Sequence, residues 1–161
     1  KNFGLSGPET ATDLGGNGKL DEFRAAMGLC NLRHLEEELR RRARAEARYR
    51  RRLEGVPGLT LKAFQPEVQS NHAYFPVLFD EVVFGADRDR VQAALGERGV
   101  FARKYFYPLT STFPCWEGRF DPEETPIALE ASRRVLCLPL FADLEEFQVD
   151  SICEIVLDCR R

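Results

Sequence analysis

The 161-residue sequence is short of several residue types on which protein chemistry commonly rests: it has two histidines, one methionine, one tryptophan and four lysines (Lys1, Lys19, Lys62 and Lys104). His34 and His72 stand far apart, and two histidines without carboxylate help do not make a metal centre. The five cysteines, Cys30, Cys115, Cys137, Cys153 and Cys159, are odd in number and include no CxxC pair. That spacing excludes an evident zinc site or disulfide framework, and they read as reduced, mostly buried small apolar residues. No apolar run approaches the roughly 20 residues of a membrane helix. Lys1 is followed by mixed polar sequence rather than by a basic and then apolar export signal. A cytoplasmic protein with no membrane partner is therefore expected. Gly-x-Ser-x-Gly, the P-loop and the dinucleotide fingerprint are all missing, so no nucleophile with its base can be assigned as catalytic.

What is present suits one ordinary domain with a real core: 43% apolar residues, 30% charged and a net charge of -3. The charge is uneven, because residues 40 to 52 hold eight arginines and one glutamate. Arg40, Arg41, Arg42, Arg44, Arg48, Arg50, Arg51 and Arg52 spread around most of a helix, with Leu39, Ala43 and Ala47 as a thin apolar seam. A solvated helix face is the plain expectation. A phosphate or nucleic-acid contact is the alternative, opposed by the acidic remainder and by the lack of interleaved aromatics other than Tyr49.

Periodicity organises the chain into a loop over 1–18, a long helix over 19–55 and an α/β or α+β domain over 56–161. In the helix Leu20, Phe23, Met27, Cys30, Leu35, Leu39, Ala43 and Ala47 fall at three- and four-residue steps, with one step of five. As a single helix it would measure about 50 Å at ~1.5 Å per residue. LTLKAF (59–64) and AYFPVLF (73–79) read as strands, the second apolar enough to be central although Pro76 argues for an edge or bulge. Asp87 caps a helix that stops at Gly99, residues 100–107 read as a third extended segment, and Thr125-Pro126 opens another helix through Arg134. VLCLPL (135–140) is a short strand, and residues 143–159 form an amphipathic helix.

Two segments carry more than packing requires. GGNGKL (15–20) places glycines and Asn17 ahead of a helix, where free amides and a positive dipole end suit a phosphate. ARKYFYPL (102–109) alternates Arg103, Lys104, Tyr105 and Tyr107 with apolar neighbours, which fits a polar ligand or, equally, an edge strand armed against aggregation. His72, at the mouth of a strand after Ser70-Asn71, is a further candidate contact or an edge-of-core residue.

Four segments, GGNGKLDEFRAAMGLCNLRHLEE, NHAYFPVLFDE, GVFARKYFYPLTSTFPCW and RRVLCLPLFADLEEFQVDSICEIV, resemble in order and spacing the later part of the DegT/DnrJ/StrS family of sugar aminotransferases. These are pyridoxal-phosphate enzymes of the aspartate-aminotransferase fold type, and the resemblance covers essentially the whole chain. It implies the small C-terminal domain of that fold: a long N-terminal helix and a small, mostly antiparallel sheet covered by helices. It implies transfer of an amino group from an amino acid, glutamate, to a nucleotide-linked keto-sugar for polysaccharide or glycan synthesis. It implies a homodimer whose active sites are shared across subunits. By the same resemblance Asn17 reaches the cofactor phosphate of the neighbouring subunit, Tyr105 faces the substrate, and Arg103, Lys104 and Tyr107 flank it near the sugar or nucleotide phosphates. His72 departs from a position that is often aromatic or serine in relatives. None of the four lysines stands in the family's serine-then-lysine context, so the chain is expected to lack the Schiff-base lysine, to be the C-terminal portion alone and to be inactive by itself. A rival expectation is a non-catalytic interaction module that uses Arg40–Arg52 to bind an acidic partner or nucleic acid.

Overall fold

An aspartate at the foot of a helical run satisfies an amide that has no partner in the first turn. In a computed structural model of the chain Asp21 does this, its side chain accepting from the Arg24 N–H at 2.9 Å and opening helix α1, Glu22–Leu32. The structure describes residues 5–7, 10–12, 14–16, 18, 20–63 and 65–160. Lys1, Asn17 and Lys19 lie outside the described residues. The chain divides into two units, 1–37 and 38–161.

In the first unit, residues expected as plain loop form a small antiparallel pair, β1 (Leu5–Gly7) with β2 (Thr10–Ala11). The single helix expected over 19–55 is interrupted. Arg33 and His34 form a turn between α1 and α2 (Leu35–Leu53), with the Arg33 and His34 amides bonded three residues back to the carbonyls of Cys30 and Asn31. The break falls at the five-residue apolar step from Cys30 to Leu35, across which no single helical stripe continues, and Asn31 favours helix only weakly. α1 buries none of its residues, and Leu20, Phe23 and Met27 are exposed.

The second unit is built on an antiparallel sheet ordered β3 (Leu59–Leu61), β4 (Phe75–Phe79), β5 (Val135–Leu138). β4 is central despite Pro76. Pro76 lies opposite Cys137, whose own N–H and C=O are both bonded to Arg103 on the far side, so the missing proline donor faces the other neighbour. There the β3 ladder has already ended, at Leu61 opposite Val77. Phe75, Val77 and Phe79 alternate inward, as the period of two requires.

Asp80 caps the short helix α3 (Glu81–Phe84) and Asp87 caps α4 (Arg88–Glu97), accepting from the Arg90 N–H at 2.7 Å. Pro126 occupies the first turn of α5 (Pro126–Arg134), and a capping box of Glu145 and Gln148 opens α6 (Glu146–Asp158). The extended segment expected over 100–107 is reduced to one bridge, Arg103 to Cys137, after which the chain turns at Tyr105–Phe106 and continues through short 3₁₀ turns. A strand needs a ladder on at least one side, and beyond Cys137 the loop leaves β5.

α2 packs by a different face from the expected seam. Ala45, Tyr49 and Leu53 are its buried residues, while Ala47 is exposed. The Tyr49 ring stacks on Phe75 at 4.8 Å and its hydroxyl donates to the Pro139 carbonyl at 3.0 Å. One aromatic buries far more apolar surface than two alanine methyls, and that decides which face turns inward. Three cysteines, Cys137, Cys153 and Cys159, are buried; Cys30 and Cys115 are exposed. Burial pushes the Cys153 thiol up to about 12, so at neutral pH it is an inert core residue.

Two glycines with positive φ separate conformational from steric cost. Gly55 (φ +77) has open space where a Cβ would stand, whereas a Cβ on Gly58 (φ +81) would come within 2.4 Å of the Phe84 backbone nitrogen. Gly55→Ala is expected to cost about 1 kcal/mol and Gly58→Ala at least twice that. Urea midpoints of the two variants check this, and equal shifts would contradict the close approach.

Candidate functional site

α4 supplies the scaffold of a cleft of about 410 Å³ lined by Gln92, Arg103, Lys104, Tyr105, Phe106, Tyr107 and the start of the 3₁₀ segment at Thr110. Arg88, at the first position of α4, is buried at 3% exposure. A buried guanidinium needs acceptors for its protons. Arg88 Nη1 donates to the carbonyls of Ser132 (2.6 Å) and Val135 (3.1 Å), and Nε donates to Asp89 Oδ1 (2.7 Å). The guanidinium carbon also lies over the Tyr107 ring, 4.4 Å from its centroid. Asp89 Oδ1 accepts in addition from Lys104 Nζ at 2.6 Å. One turn further along α4, Gln92 Nε2 donates to the Ala102 carbonyl at 3.0 Å.

Four of the residues singled out in the sequence, Arg103, Lys104, Tyr105 and Tyr107, thus line one cleft. Arg103 is fixed by its backbone, which exchanges two hydrogen bonds with Cys137 (3.1 and 2.7 Å), while its side chain is exposed and has no hydrogen bond or ion pair among the described residues. Tyr105 is held between Tyr74, in a T-shaped contact with centroids 5.3 Å apart, and Phe106, on which it stacks at 4.9 Å. Tyr105 and Phe106 are also a shared wall. Behind them lies an apolar cavity of about 450 Å³ bounded by Leu61, Pro76, Leu78, Ala128 and Val135.

The structure does not bring His72 into the lining of this cleft. Its Nδ1 lies 2.8 Å from Glu46 Oε2 on α2, its backbone takes a positive φ of +47, and its N–H donates to Ser70 Oγ at 3.1 Å. Glu46 is shared with Arg50, which also donates to the Lys62 carbonyl at 2.8 Å. His72 therefore clamps the 62–74 loop to α2, two residues before Tyr74. Asn17 lies outside the described residues.

The arginine run is only in part the solvated face expected from the sequence: Arg40, Arg44 and Arg51 are exposed, while others turn to acids of the closing helix. Arg48 makes a two-pronged contact with Asp150 (2.8 and 2.6 Å), Arg52 approaches Glu154 (3.6 Å), and Arg41 meets Asp143 (2.8 Å). The Arg48 guanidinium holds the Asp150 carboxyl below its usual range. Acids of α6 and of the turn before it thus meet Arg41, Arg48 and Arg52 among the eight arginines, which lowers the net positive charge of this face. Among the described residues no group of three metal-ligating side chains forms, and no helix is long and apolar enough to cross a membrane.

Residues missed in the sequence are Arg88, Asp89, Gln92, Tyr74 and Phe106. Phe106 and Tyr74 sit within or beside the aromatic segments and could have been included by composition. Nothing local marks Arg88 as buried, since the DRDR stretch reads as a solvated helix start.

A model of the DegT/DnrJ/EryC1/StrS aminotransferase family matches residues 1–157. A dTDP-4-amino-4,6-dideoxy-D-glucose transaminase of Escherichia coli is 38% identical over 159 residues, covering 98% of this chain and 43% of that protein. A dTDP-4-dehydro-2,3,6-trideoxy-D-glucose 4-aminotransferase of Saccharopolyspora spinosa is 33% identical over 83% of this chain and 33% of its own length. Among solved structures, DesI in the presence of its TDP-sugar product superposes with a TM-score of 0.85 at 31% identity, covering 98% of this chain and 40% of DesI. The chain therefore spans less than half the length of these relatives.

The Lys104 ammonium, bonded to Asp89, and Arg88 both stabilise the ionised carboxyl and hold Asp89 below the ordinary carboxylate value. A depressed carboxyl contributes stability that is present above its unfolded value, about 3.9, and is lost as pH falls through the folded one. The tie to Lys104 should consequently persist from neutral pH down to about 4. A carbon-detected NMR titration of the Asp89 carboxyl is expected to show its midpoint below that ordinary value, and a midpoint at or above it would mean the tie is absent in solution.

Proposed function

The chain belongs to the DegT/DnrJ/EryC1/StrS aminotransferase family, and from that premise we propose that it is the substrate-facing C-terminal portion of an enzyme that moves an amino group from glutamate to the keto carbon of a nucleotide-linked sugar, in polysaccharide or glycan synthesis. The observation that carries this reading is the cleft over α4. It offers one cation without a partner among the described residues, Arg103, beside two tyrosines, and backs them with an apolar cavity. A nucleotide-linked deoxy sugar has the matching parts: phosphate oxygens for a guanidinium, hydroxyl and keto oxygens for phenols, and an apolar edge. In this reading Arg103 takes a phosphate, while Tyr105 and Tyr107 orient the sugar. Lys104 flanks them with its charge already met by Asp89, and His72 acts at one remove by holding the loop that carries Tyr74.

The residues described do not by themselves make a site for the pyridoxal phosphate of the family. Imine formation needs an amine free to attack. Of the two lysines described, Lys104 is paired with Asp89 and Lys62 does not line the cleft over α4. The lysine that carries the cofactor is assigned to the part of the relatives' length that this chain does not span, which makes the portion inactive alone. Asn17 is proposed to reach the cofactor phosphate of a neighbouring subunit in a homodimer, and the exposed apolar residues of α1 suit coverage by a partner surface. The cytoplasm, where sugar nucleotides and free thiols coexist, is the proposed location.

Two variants in the full-length enzyme test the assignments. Arg103→Ala should raise KM for a dTDP-4-keto-6-deoxy sugar about tenfold or more, the loss of a charged hydrogen bond, and an unchanged KM would remove Arg103 from the site. Asn17→Ala should release pyridoxal phosphate on dialysis, followed by its absorbance, and full retention would overturn the phosphate contact.

A further inference from the structure

We infer that Asp89 is a positioning residue for this cleft: by pairing with Lys104 at the cleft margin it leaves Arg103 as the one cation presented to the ligand. The inference deepens the proposed function and rests on it for the nature of the ligand. Three attachments from the first turns of α4 hold the cleft loop at intervals: Gln92 at the Ala102 carbonyl (3.0 Å), Asp89 at the Lys104 ammonium (2.6 Å) and Arg88 against the Tyr107 ring (4.4 Å). Arg103 lies between two of the held residues. Its backbone is anchored to Cys137, yet its guanidinium has no partner among the described residues. The side chain of Lys104 is 26% exposed and that of Asp89 57%, so the pair lies at the cleft margin, where an unpaired ammonium would be free to swing toward a bound anion. Two adjacent cations would grip a diphosphate in more than one register. Asp89 removes the second cation and thereby selects one register for the sugar attached to it.

A loop merely loosened by mutation would bind its ligand less well, whereas a released cation would bind an anion better. Asp89→Asn separates the two, because the amide oxygen can still accept from Arg88 Nε while the charge is gone. In the full-length enzyme, calorimetry with dTDP is expected to show about fivefold tighter binding for Asp89→Asn, the scale of one added exposed ion pair, together with a lower kcat for amination. The tightening should vanish in Asp89→Asn/Lys104→Met, and Asp89→Glu should restore wild-type affinity. Unchanged or weaker dTDP binding by Asp89→Asn, or tightening that persists without Lys104, would overturn the inference. A wild-type enzyme that does not bind dTDP would sink the proposed function instead. In that case acylation of Lys104 by acetic anhydride, read by peptide mass, still decides the positioning pair: faster labelling in Asp89→Asn supports it, and equal rates refute it.

Discussion

A guanidinium with almost no solvent contact cannot be left without acceptors, and most of the cleft follows from where Arg88 finds them. Its donors reach the last turn of α5 and the first residue of β5 through the Ser132 and Val135 carbonyls. Removing a charge from water costs several kcal/mol unless hydrogen bonds and an opposite charge replace the hydration. Asp89 supplies that charge from the next position. The same carboxylate oxygen then reaches Lys104, and the guanidinium carbon sits over the Tyr107 ring. The start of one helix thus links the end of another, the edge of the sheet and the loop that carries the candidate site.

The loop needs this support because it has lost the regular kind. A single bridge at Arg103 is all the ladder that β5 gives it. Side-chain hydrogen bonds and ring contacts take the place of strand pairing, and they leave Arg103, between two of the anchors, exposed in the cleft. The wall of Tyr105 and Phe106 results from this arrangement, with a polar cleft on one side and an apolar cavity on the other. Tyr74 braces the wall, and the Glu46–His72 contact anchors the loop that carries Tyr74. The site is therefore joined to α2 as well as to α4.

The arginine-rich α2 shows why local composition misleads about charge. A run of eight arginines looks like a surface for polyanions until the acids placed opposite it are known. Those acids, Asp143, Asp150 and Glu154, lie about a hundred residues away in sequence, and Arg48 grips Asp150 through both carboxylate oxygens. Fork-shaped pairing of this kind fixes the register of two helices, which makes the cluster an element of architecture. Its apolar counterpart is Tyr49, whose stacking on Phe75 seats the helix on the sheet.

The sequence by itself determined the parts governed by neighbours. The cap at Asp87, the helix start at Thr125-Pro126, the alternating core strand around Val77, the strand Val135–Leu138 and the closing helix all follow from periodicity and end signals within a dozen residues. The cluster Arg103, Lys104, Tyr105 and Tyr107 was legible for the same reason: consecutive residues on one loop share a surface wherever the loop goes. Tertiary structure decided the rest. It broke the long helix at Arg33–His34, turned Tyr49 inward in place of Ala47, seated Pro76 in a central strand where its missing donor faces the end of a ladder, and drew His72 toward Glu46. It also buried Arg88 and paired Lys104 with Asp89, which separates the charge of Lys104 from that of Arg103. Each of these depends on a partner far away in sequence, and burial and charge pairing are properties of the place a residue occupies once the chain has closed.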